Sequence, residues 1–514
     1  MLAYIARRLG VLVVILLGSS FILFNLAAIA GDPLEQLKMS TDPKAKQQII
    51  ALTRDLKLDV PPPLRYFLWL RGVLGVFVGN PDFGNTRSAQ SVTEALAAAI
   101  PVTIRLILMA TIIAIILGIT IGITTALRQY SRFDYSMTFV AFLLFSLPIF
   151  WVAVLLKQYL AIEFNNFLYE ARISTPWLIG LSLFSGLFWA AVLGGSRRRV
   201  WSIFGGVALG TAGLLSVLSA TEWLKDPFIG PIGVLVFGVG IAFVVTHLSM
   251  GLSSRSALYA SLSMVGVGVA VYFPIQSVLS PDQGWLRMLV LALITIAVGV
   301  AGGYLFAKVD RGAVIRTSTL TAFLVAFLIV VDKLMRTFRP YSMTDAVNQR
   351  PIPTTGALNP LLESNDFWIN FLDALTHLFL PTLALLLISF AGYVRFSRGT
   401  LLEVLNQDYI RTARAKGLPE RTVIMRHAFR NTMIPIATIM VVDFAGVIGG
   451  AIITERVFGW YGMGTLFNTA IGSFDLNLLM GVFLITASLA VLANLIADLL
   501  YSALDPRVRV AGGK

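Results

Sequence analysis

The side chains that most often catalyse reactions or bind metals are few and scattered in this sequence. The chain has no cysteine, and its three histidines, His247, His377 and His427, lie far apart. Disulfides, thiolate metal sites and cysteine nucleophiles are therefore excluded, and the histidines do not have the spacing of metal ligands. The phosphate-binding pattern G-x-x-x-x-G-K-[ST] is also absent. We predict that this chain is not an enzyme and holds no metal and no cofactor.

The densest group of charged side chains lies at 403–436, between two apolar segments of membrane-spanning length. Its basic residues outnumber Glu403, Asp408 and Glu420. They are Arg411, Arg414, Lys416, Arg421, Arg426 and Arg430. Short loops rich in Arg and Lys stay on the cytoplasmic side of a membrane. We predict a cytoplasmic loop, either a docking site for another protein or only a basic anchor at an anionic lipid surface.

The order of residues within this loop predicts a short helix followed by a sharp turn. Asp408 can cap a helix over 409–416, Gly417 can end it in a left-handed conformation, and Pro419 blocks its continuation. Ala413 and Gly417 are four residues apart and would share one helix face. Their small size would allow the surface of another protein to approach the backbone closely.

The composition describes the setting of this loop. Of 514 residues, 57% are hydrophobic and 13% are charged, and the mean hydropathy is +0.81. Such values are typical of a polytopic membrane protein without soluble domains. A net charge of +13 would suggest nucleic acid for a soluble protein, but here the basic residues lie in short loops where they set topology. We expect an all-α fold embedded in membrane lipid, with no nucleic-acid partner.

The first apolar stretch, at about 9–30, follows Arg7 and Arg8. Residues 28–30, Ala-Ile-Ala, could be a signal-peptide cleavage site, but the stretch is long enough to cross a bilayer, which needs about 20 residues. We expect it to stay as the first transmembrane helix, with a cytoplasmic N-terminus. Further spans are expected at about 101–127, 135–162, 370–394, 434–454 and 478–503, with external segments at 31–99 and 336–368.

The run at 408–418, DYIRTARAKGL, resembles the coupling loop of binding-protein-dependent ABC importer permeases, whose short helix docks on an ATPase subunit. Where the wider superfamily has Glu followed by Ala, this chain has Arg411 and Thr412, which favours the dipeptide/oligopeptide branch. Two flanking elements resemble the same family, namely S-x-P-x-F at 146–150 and TExxFxxxGxG at 454–464. The external elements GDP, RDLKLDVP and DFG, and Asp505-Pro506-Arg507 near the C-terminus, do so too. The resemblance covers about 1–165 and 365–509.

This resemblance implies a permease subunit of an ATP-driven importer of di- or oligopeptides in the plasma (inner) membrane, with both termini cytoplasmic. The implied partners are a second homologous permease, two ATPase subunits that bind ATP and magnesium, an extracytoplasmic substrate-binding protein and the peptide. The residues expected to couple this chain to the ATPases are Arg411, Thr412, Ala413, Ala415, Gly417 and Leu418.

The part of the chain outside the resemblance carries six more apolar spans. The resemblance implies a six-helix type I importer core, so we expect about twelve transmembrane helices, with the additional six inserted at 176–335 as an accessory bundle. The other parts are the first helix (1–30), core helices 2 and 3 (100–165), and the remaining core helices (369–509) with the coupling loop (403–431). Arg197–Arg199 and Lys308–Arg316 fall in loops expected to be cytoplasmic. No ionisable residue lies in the middle of an inserted span, so we expect the insert to lack buried carboxylates.

Three residues are candidates for the translocation pathway. Pro148 interrupts a span and frees a backbone carbonyl, although a kink used only for packing would explain it too. Asp443 lies in the middle of an apolar span, where a carboxylate costs about 2.5–3.5 kcal/mol and usually faces a partner or a watery cavity. An ion pair with a basic residue of the second permease is the alternative for Asp443. Glu455 belongs to the expected external turn.

Other functions remain compatible with the sequence. Permeases for nickel, glutathione, opines or another small solute share much of the loop pattern. A stand-alone secondary transporter, or a polytopic membrane enzyme, is supported only by the additional helices.

Overall fold

The structure is a computed structural model in which residues 2–282, 284–307 and 310–504 are described. These residues form a helical protein in which no β-strand occurs. The prediction of an all-α polytopic fold is confirmed. Lys308 and Asp505–Arg507 lie outside the described residues.

The first fifth of the chain forms one long helix and a compact external segment. Helix α1 begins the chain, and α2, α3, α4 and a 3-10 turn (Leu74–Val78) precede the long α5. Their bounds are α1 Leu2–Ala30, α2 Glu35–Lys38, α3 Ala45–Asp55, α4 Pro62–Val73 and α5 Val92–Leu127. Helix α5 begins nine residues before the predicted start because Ser91 caps it, accepting a hydrogen bond from Glu94 N. Pro101 lies inside it.

The next predicted span is bent rather than straight. Helix α6 covers Arg132–Ser146 and is followed by Leu147 and Pro148. Helix α7 (Ile149–Leu156) then runs at 100° to α6. A π-helical segment, Lys157–Glu163, continues α7 into α8 (Phe164–Glu170). Proline cannot supply the missing N–H of a continuous helix, which accounts for the position of the bend.

The insert consists of seven helices that form six potential crossings. They are α9 Thr175–Leu193, α10 Arg197–Ala220, α11 Gly230–Ser249, α12 Arg255–Ala270, α13 Tyr272–Val278, α14 Trp285–Phe306 and α15 Arg311–Ser342. Helices α12 and α13 meet at a bend of 58°. Helix α15 extends nine residues beyond its predicted end and carries Pro340 in its last turn.

The rest of the chain contains the core helices and the loop. The elements are α16 Phe367–Leu405, α17 Asp408–Ala415, α18 Glu420–Thr422, a π-helical segment Val423–Ala428, α19 Phe429–Phe458, α20 Met463–Gly472 and α21 Leu476–Leu504. Nine helices of the described chain are long and apolar enough to cross a membrane, and the two bent pairs raise the number to eleven. The 30-residue α19 is about 45 Å long at 1.5 Å per residue and provides a twelfth.

Helices α5 and α16 form the centre of the core and run in the same direction. Gly118 of α5 lies against Tyr393 of α16, and Gly122 lies against Ser397 and Val394, with no room for a Cβ at either glycine. Close approach through small residues is the usual basis of helix association in a membrane. From this contact with α5, helix α16 continues directly into the polar loop.

The insert contacts the core at both ends of the bundle. At one end, Trp368 Nε1 donates to Ser280 O and Phe367 N donates to Pro281 O. At the opposite end, a Cβ on Gly194 would meet the side chain of Arg132. The loop before Arg197 therefore lies at the same end of the bundle as the loop before α6.

The expectation that the insert lacks a buried carboxylate is wrong. Asp332 is fully buried because α15 continues past it, so the residue is no longer at a helix boundary. It accepts hydrogen bonds from Ile229 N, Gly230 N and the Tyr272 hydroxyl, and Arg336 Nε lies 2.9 Å away. The carboxylate ties the start of α11 to α13 and α15, which is a structural role.

Candidate coupling surface and pathway residues

The polar loop forms the predicted short helix and turn, displaced by one residue. Gln407 rather than Asp408 precedes α17, and Lys416 follows it. Gly417 has φ +76° with open space where a Cβ would stand. Leu418 N donates to Ala413 O and Gly417 N donates to Arg414 O, the hydrogen-bond pattern of a Schellman turn. Glycine is favoured here by its backbone conformation and not by crowding.

One face of α17 is buried in this chain. Ile410 is fully buried and Ala413 is 6% exposed, packed with Ala126 of α5 and Leu401 of α16. We expected Ala413 and Gly417 to share a face that is open to a partner. That expectation is wrong for Ala413, which is buried within this chain. Its small side chain lets α17 lie close to the ends of α5 and α16.

The opposite face of α17 is open. The exposed residues include five of the six predicted coupling residues, namely Arg411, Thr412, Ala415, Gly417 and Leu418. Arg411 lies 3.6 Å from Asp408, an exposed pair that contributes little to stability. These five residues thus combine one cation, a hydroxyl, two small residues and Leu418 around a turn with room for a partner, and Arg414 and Lys416 are exposed beside them.

An ion pair closes the turn that follows α17. Arg414 Nη2 lies 2.7 Å from Glu420 Oε1, and Arg414 Nε donates to Glu420 Oε2 at 3.2 Å. The hydrogen bonds from Arg414 lower the pKa of the Glu420 carboxyl, and those to Glu420 raise the pKa of the guanidinium. This bidentate pair holds α18 beside α17 around Gly417.

A second ion pair, which the sequence did not reveal, lies at the inner end of the core. Arg398 of α16 donates from Nε and Nη2 to the two carboxylate oxygens of Asp134, at 2.8 and 2.9 Å. Asp134 is 2% exposed and also accepts from Tyr130 N. The pair fastens the start of α6 to α16 one turn before the loop.

The loop also contacts the insert. Arg421 Nη2 donates to Leu248 O at 2.9 Å, and Leu248 lies in the last turn of α11. The carbonyl end of a helix carries a partial negative charge that favours a cation. Accessory helices thus touch the loop, which neither the spacing nor the composition of the insert predicted.

Two of the pathway candidates lie on α19. Asp443 is half-buried near the midpoint of α19. The buried hydroxyl of Tyr393 on α16 has no hydrogen-bond partner within the described residues. Glu455 is fully buried near the outer end, where Thr103 Oγ1 and Thr465 N donate to its carboxylate. Asp443 lies on the predicted span, whereas Glu455, predicted in the external turn after that span, lies inside α19, which continues to Phe458.

The surroundings of Glu455 explain the spacing of the external turn. A Cβ at Gly462 or Gly464 would collide with the Glu455 carboxylate, so both positions must lack a side chain. Glu455 thereby joins α19 to α5 through Thr103 and to the start of α20 through Thr465. It holds this turn in place and its oxygens are occupied. Pro148 marks the bend between α6 and α7.

Comparisons with known proteins agree with these features. Residues 306–510 match the family described as "Binding-protein-dependent transport system inner membrane component". They carry the domain of that family. The matched range includes α15, which we assigned to the insert, together with the coupling loop and helices α16 to α21.

Curated relatives are similar over a shorter range. The oligopeptide transport permease OppB of Mycobacterium tuberculosis is 41% identical over 157 residues, which are 30% of this chain and 48% of the relative. AppB of Bacillus subtilis, an oligopeptide permease, is 40% identical over 166 residues, 32% of this chain and 51% of the relative. The dipeptide permease DppB of Escherichia coli is 44% identical over 140 residues, 27% and 41% of the two chains. The chain thus spans about half the length of the relatives it matches.

Proposed function

We propose that this protein is the transmembrane permease subunit of an ATP-driven importer of di- or oligopeptides. The observation that carries the proposal is the matched permease domain, whose loop at 408–418 forms an exposed short helix ending in a glycine turn. The names of the similar proteins, which are oligopeptide and dipeptide permeases, support peptides as the solute.

In this proposal, α17 transmits movement from ATPase subunits to the membrane helices. Ile410 and Ala413 seat the helix on the inner ends of α5 and α16, so a displacement of α17 must move both. The Asp134–Arg398 pair then carries α6 along with α16. Removing the acceptor of such a pair costs about 1–3 kcal/mol, enough to keep these helices together during a cycle.

The proposed assembly has two ATPase subunits, a second permease and an extracytoplasmic binding protein. ATP and magnesium would bind in the ATPase subunits. The exposed face of α17, with Arg411, Thr412, Ala415, Gly417 and Leu418, is the proposed contact with one of them. Ala413 supports that contact from the inner side of the helix.

A matched pair of glycine substitutions tests the coupling role. Gly417→Val places a Cβ at φ +76°, which strains the turn by about 1–2 kcal/mol, while Gly399→Val changes an exposed α16 glycine that also has open space but ordinary helical φ. We expect Gly417→Val to abolish peptide-stimulated ATP hydrolysis by the reconstituted complex and to weaken ATPase pull-down, with Gly399→Val close to wild type. Normal stimulation in Gly417→Val would remove the main support for the proposal.

Asp443 is the proposed pathway residue. Its position near the midpoint of α19 and its partial exposure beside Tyr393 support a place along the route of the solute. Asp443→Asn should change uptake among peptides of different charge while the complex still assembles. Unchanged uptake across cationic, neutral and anionic peptides would exclude Asp443 from the pathway.

We propose that the protein lies in the inner membrane with both termini in the cytoplasm. Since the chain has no cysteine, single cysteines at Ser196 and Gly312 need no altered background. Both should resist a membrane-impermeant thiol reagent in intact cells and react after permeabilisation. Labelling of either one from outside would contradict this orientation.

A further inference from the structure

A polar cavity of about 510 Å³ lies where the end of the insert, the second external segment and the core meet. His377 of α16 and Arg350 of the external segment line it, as do Tyr341 at the end of α15 and Asn165 of α8. A volume of this size is ordinary for a site that holds a small organic ligand. The cavity belongs neither to the coupling surface nor to the surroundings of Asp443.

The inner wall of this cavity is built from buried, hydrogen-bonded side chains. Asp373 is 2% exposed and accepts from the Tyr341 hydroxyl at 3.0 Å and from Asn359 N at 3.0 Å. Tyr341 also meets Thr376 Oγ1 at 3.1 Å. Such a network fixes the positions of its members, because each buried polar atom is satisfied by another.

One polar atom of this wall is left over for a ligand. His377 is 6% exposed, and its Nδ1 lies 2.8 Å from Asp373 O. A carbonyl oxygen can only accept, so in the neutral ring Nδ1 carries the proton and Nε2 is an acceptor. Within the described part of the chain Nε2 has no partner. An acceptor without a partner that opens into a cavity favours a ligand with an N–H group.

The mouth of the cavity carries the opposite kind of group. Arg350 is exposed and forms no ion pair within the described residues, and no carboxylate belongs to the lining. It follows two residues in the left-handed region, Asn348 with φ +48° and Gln349 with φ +57°, where non-glycine residues are uncommon. Asn165 fixes the segment that follows Arg350 by exchanging two hydrogen bonds with the Ile352 backbone. The turn at 348–350 and this anchored segment together hold the Arg350 cation at the mouth of the cavity.

From this arrangement we infer that the cavity binds the C-terminal end of a peptide, with the carboxylate at Arg350 and a backbone N–H at His377 Nε2. The inference rests on the proposed function, because it takes the solute to be a peptide. It adds an outward site on the permease itself, contributed by the insert and the core together. Recognition of the peptide carboxylate by Arg350 would distinguish this site from a site for cationic or neutral solutes.

Equilibrium dialysis of the purified complex without its binding protein tests the site, with radiolabelled dialanine and trialanine and their C-terminal amides as probes. Both free acids should bind, and both amides should bind about tenfold or more weakly, because a charge-assisted hydrogen bond is lost. Arg350→Gln should weaken the acids by a similar factor and abolish the preference over the amides. His377→Leu should weaken acids and amides alike.

Arg339→Gln is the control, since Arg339 is an exposed cation near the same end of α15 but pairs with Asp226 outside the cavity. It should bind all four probes as the wild type does. Absence of binding to the wild-type complex, or wild-type binding by Arg350→Gln, would overturn the inference. Peptide-stimulated ATP hydrolysis is measured on the same preparations after the peptide-loaded binding protein is added back: if the wild type lacks it, the proposed function fails, whatever the dialysis shows.

Discussion

The core and the insert are built on different helix contacts. In the core, α5 and α16 lie so close that Gly118 and Gly122 have no room for a Cβ, and a buried ion pair adds α6. In the insert, α10 has no fully buried residue and packs mainly on α9, whereas α15 has many and reaches the core. The insert is therefore not one accessory unit. Its first hairpin is peripheral, and its later helices are tied to the core.

Contact with the core thus increases from the first hairpin of the insert to its later helices, and two deletions would test this gradient most strongly. Removing residues 174–219 takes out α9 and α10, and its ends can be rejoined because Ile173 N already contacts Ser219 Oγ. Removing 174–335 also deletes Ser280 O and Pro281 O, which accept from Trp368 and Phe367 of α16. We expect the short deletion to assemble and hydrolyse ATP normally and the long one to lose assembly, measured by co-purification and ATPase activity. Normal assembly after the long deletion would contradict the gradient.

Two of the buried carboxylates offer a second, smaller contrast. Asp134 and Asp332 are both almost fully buried and each is paired with an arginine, but one joins core helices and the other joins insert helices. Each substitution by Ala should cost about 1–3 kcal/mol locally, because the partly exposed arginine and the backbone N–H groups lose their acceptor. Asp134→Ala should reduce stimulated ATP hydrolysis, and Asp332→Ala should lower the thermal unfolding midpoint while stimulation persists. Equal effects on both readouts would remove the distinction.

The sequence predicted what depends on local pattern. Apolar length gave the spans, and the order of residues around Gly417 gave the short helix and its left-handed end, because these follow from neighbouring residues. The burial of Ala413 could not be predicted in this way. It depends on how far the inner ends of α5 and α16 extend, which is a matter of packing between distant parts of the chain.

Long-range polar contacts were also beyond sequence pattern. Asp134 and Arg398 are 264 positions apart, and Thr103 and Glu455 are 352 apart. Glu455 was predicted in the external turn but lies in the last turn of α19. Its partners, and hence its role in holding the turn that follows, required the packing of α5 against α19. The extension of α15 past Asp332 was missed because the charged residues after 331 looked like the end of a span.

The contact between Arg421 and Leu248 O should have a modest effect. A hydrogen bond from an exposed arginine contributes about 1 kcal/mol or less, so Arg421→Gln should change stimulated ATP hydrolysis by less than about fivefold. The matched control is Arg426→Gln, which removes another exposed cation of the same loop that lies outside the proposed coupling residues. If Arg421→Gln behaves as the wild type, the insert does not influence the loop through this bond. A loss as large as that of Gly417→Val would instead make the insert part of the coupling surface.

The smallest expected effect concerns the Arg414–Glu420 pair that closes the turn. The pair lowers the pKa of Glu420 below its ordinary value of 4.5, so its stabilisation is present above that value and is lost as the pH falls through the lowered folded pKa. Both side chains are largely exposed, and solvent screening keeps the contribution small. Hydrogen exchange of the 408–420 amides should therefore be slightly faster in Glu420→Gln than in wild type at about pH 7. The difference between Glu420→Gln and wild type should shrink towards about pH 3, after correction for the intrinsic exchange rate. Glu403→Gln, which removes an exposed carboxylate from the same loop, should exchange like the wild type at both pH values. A difference that persisted undiminished in acid would show that Glu420 acts through the shape of its side chain and not through its charge.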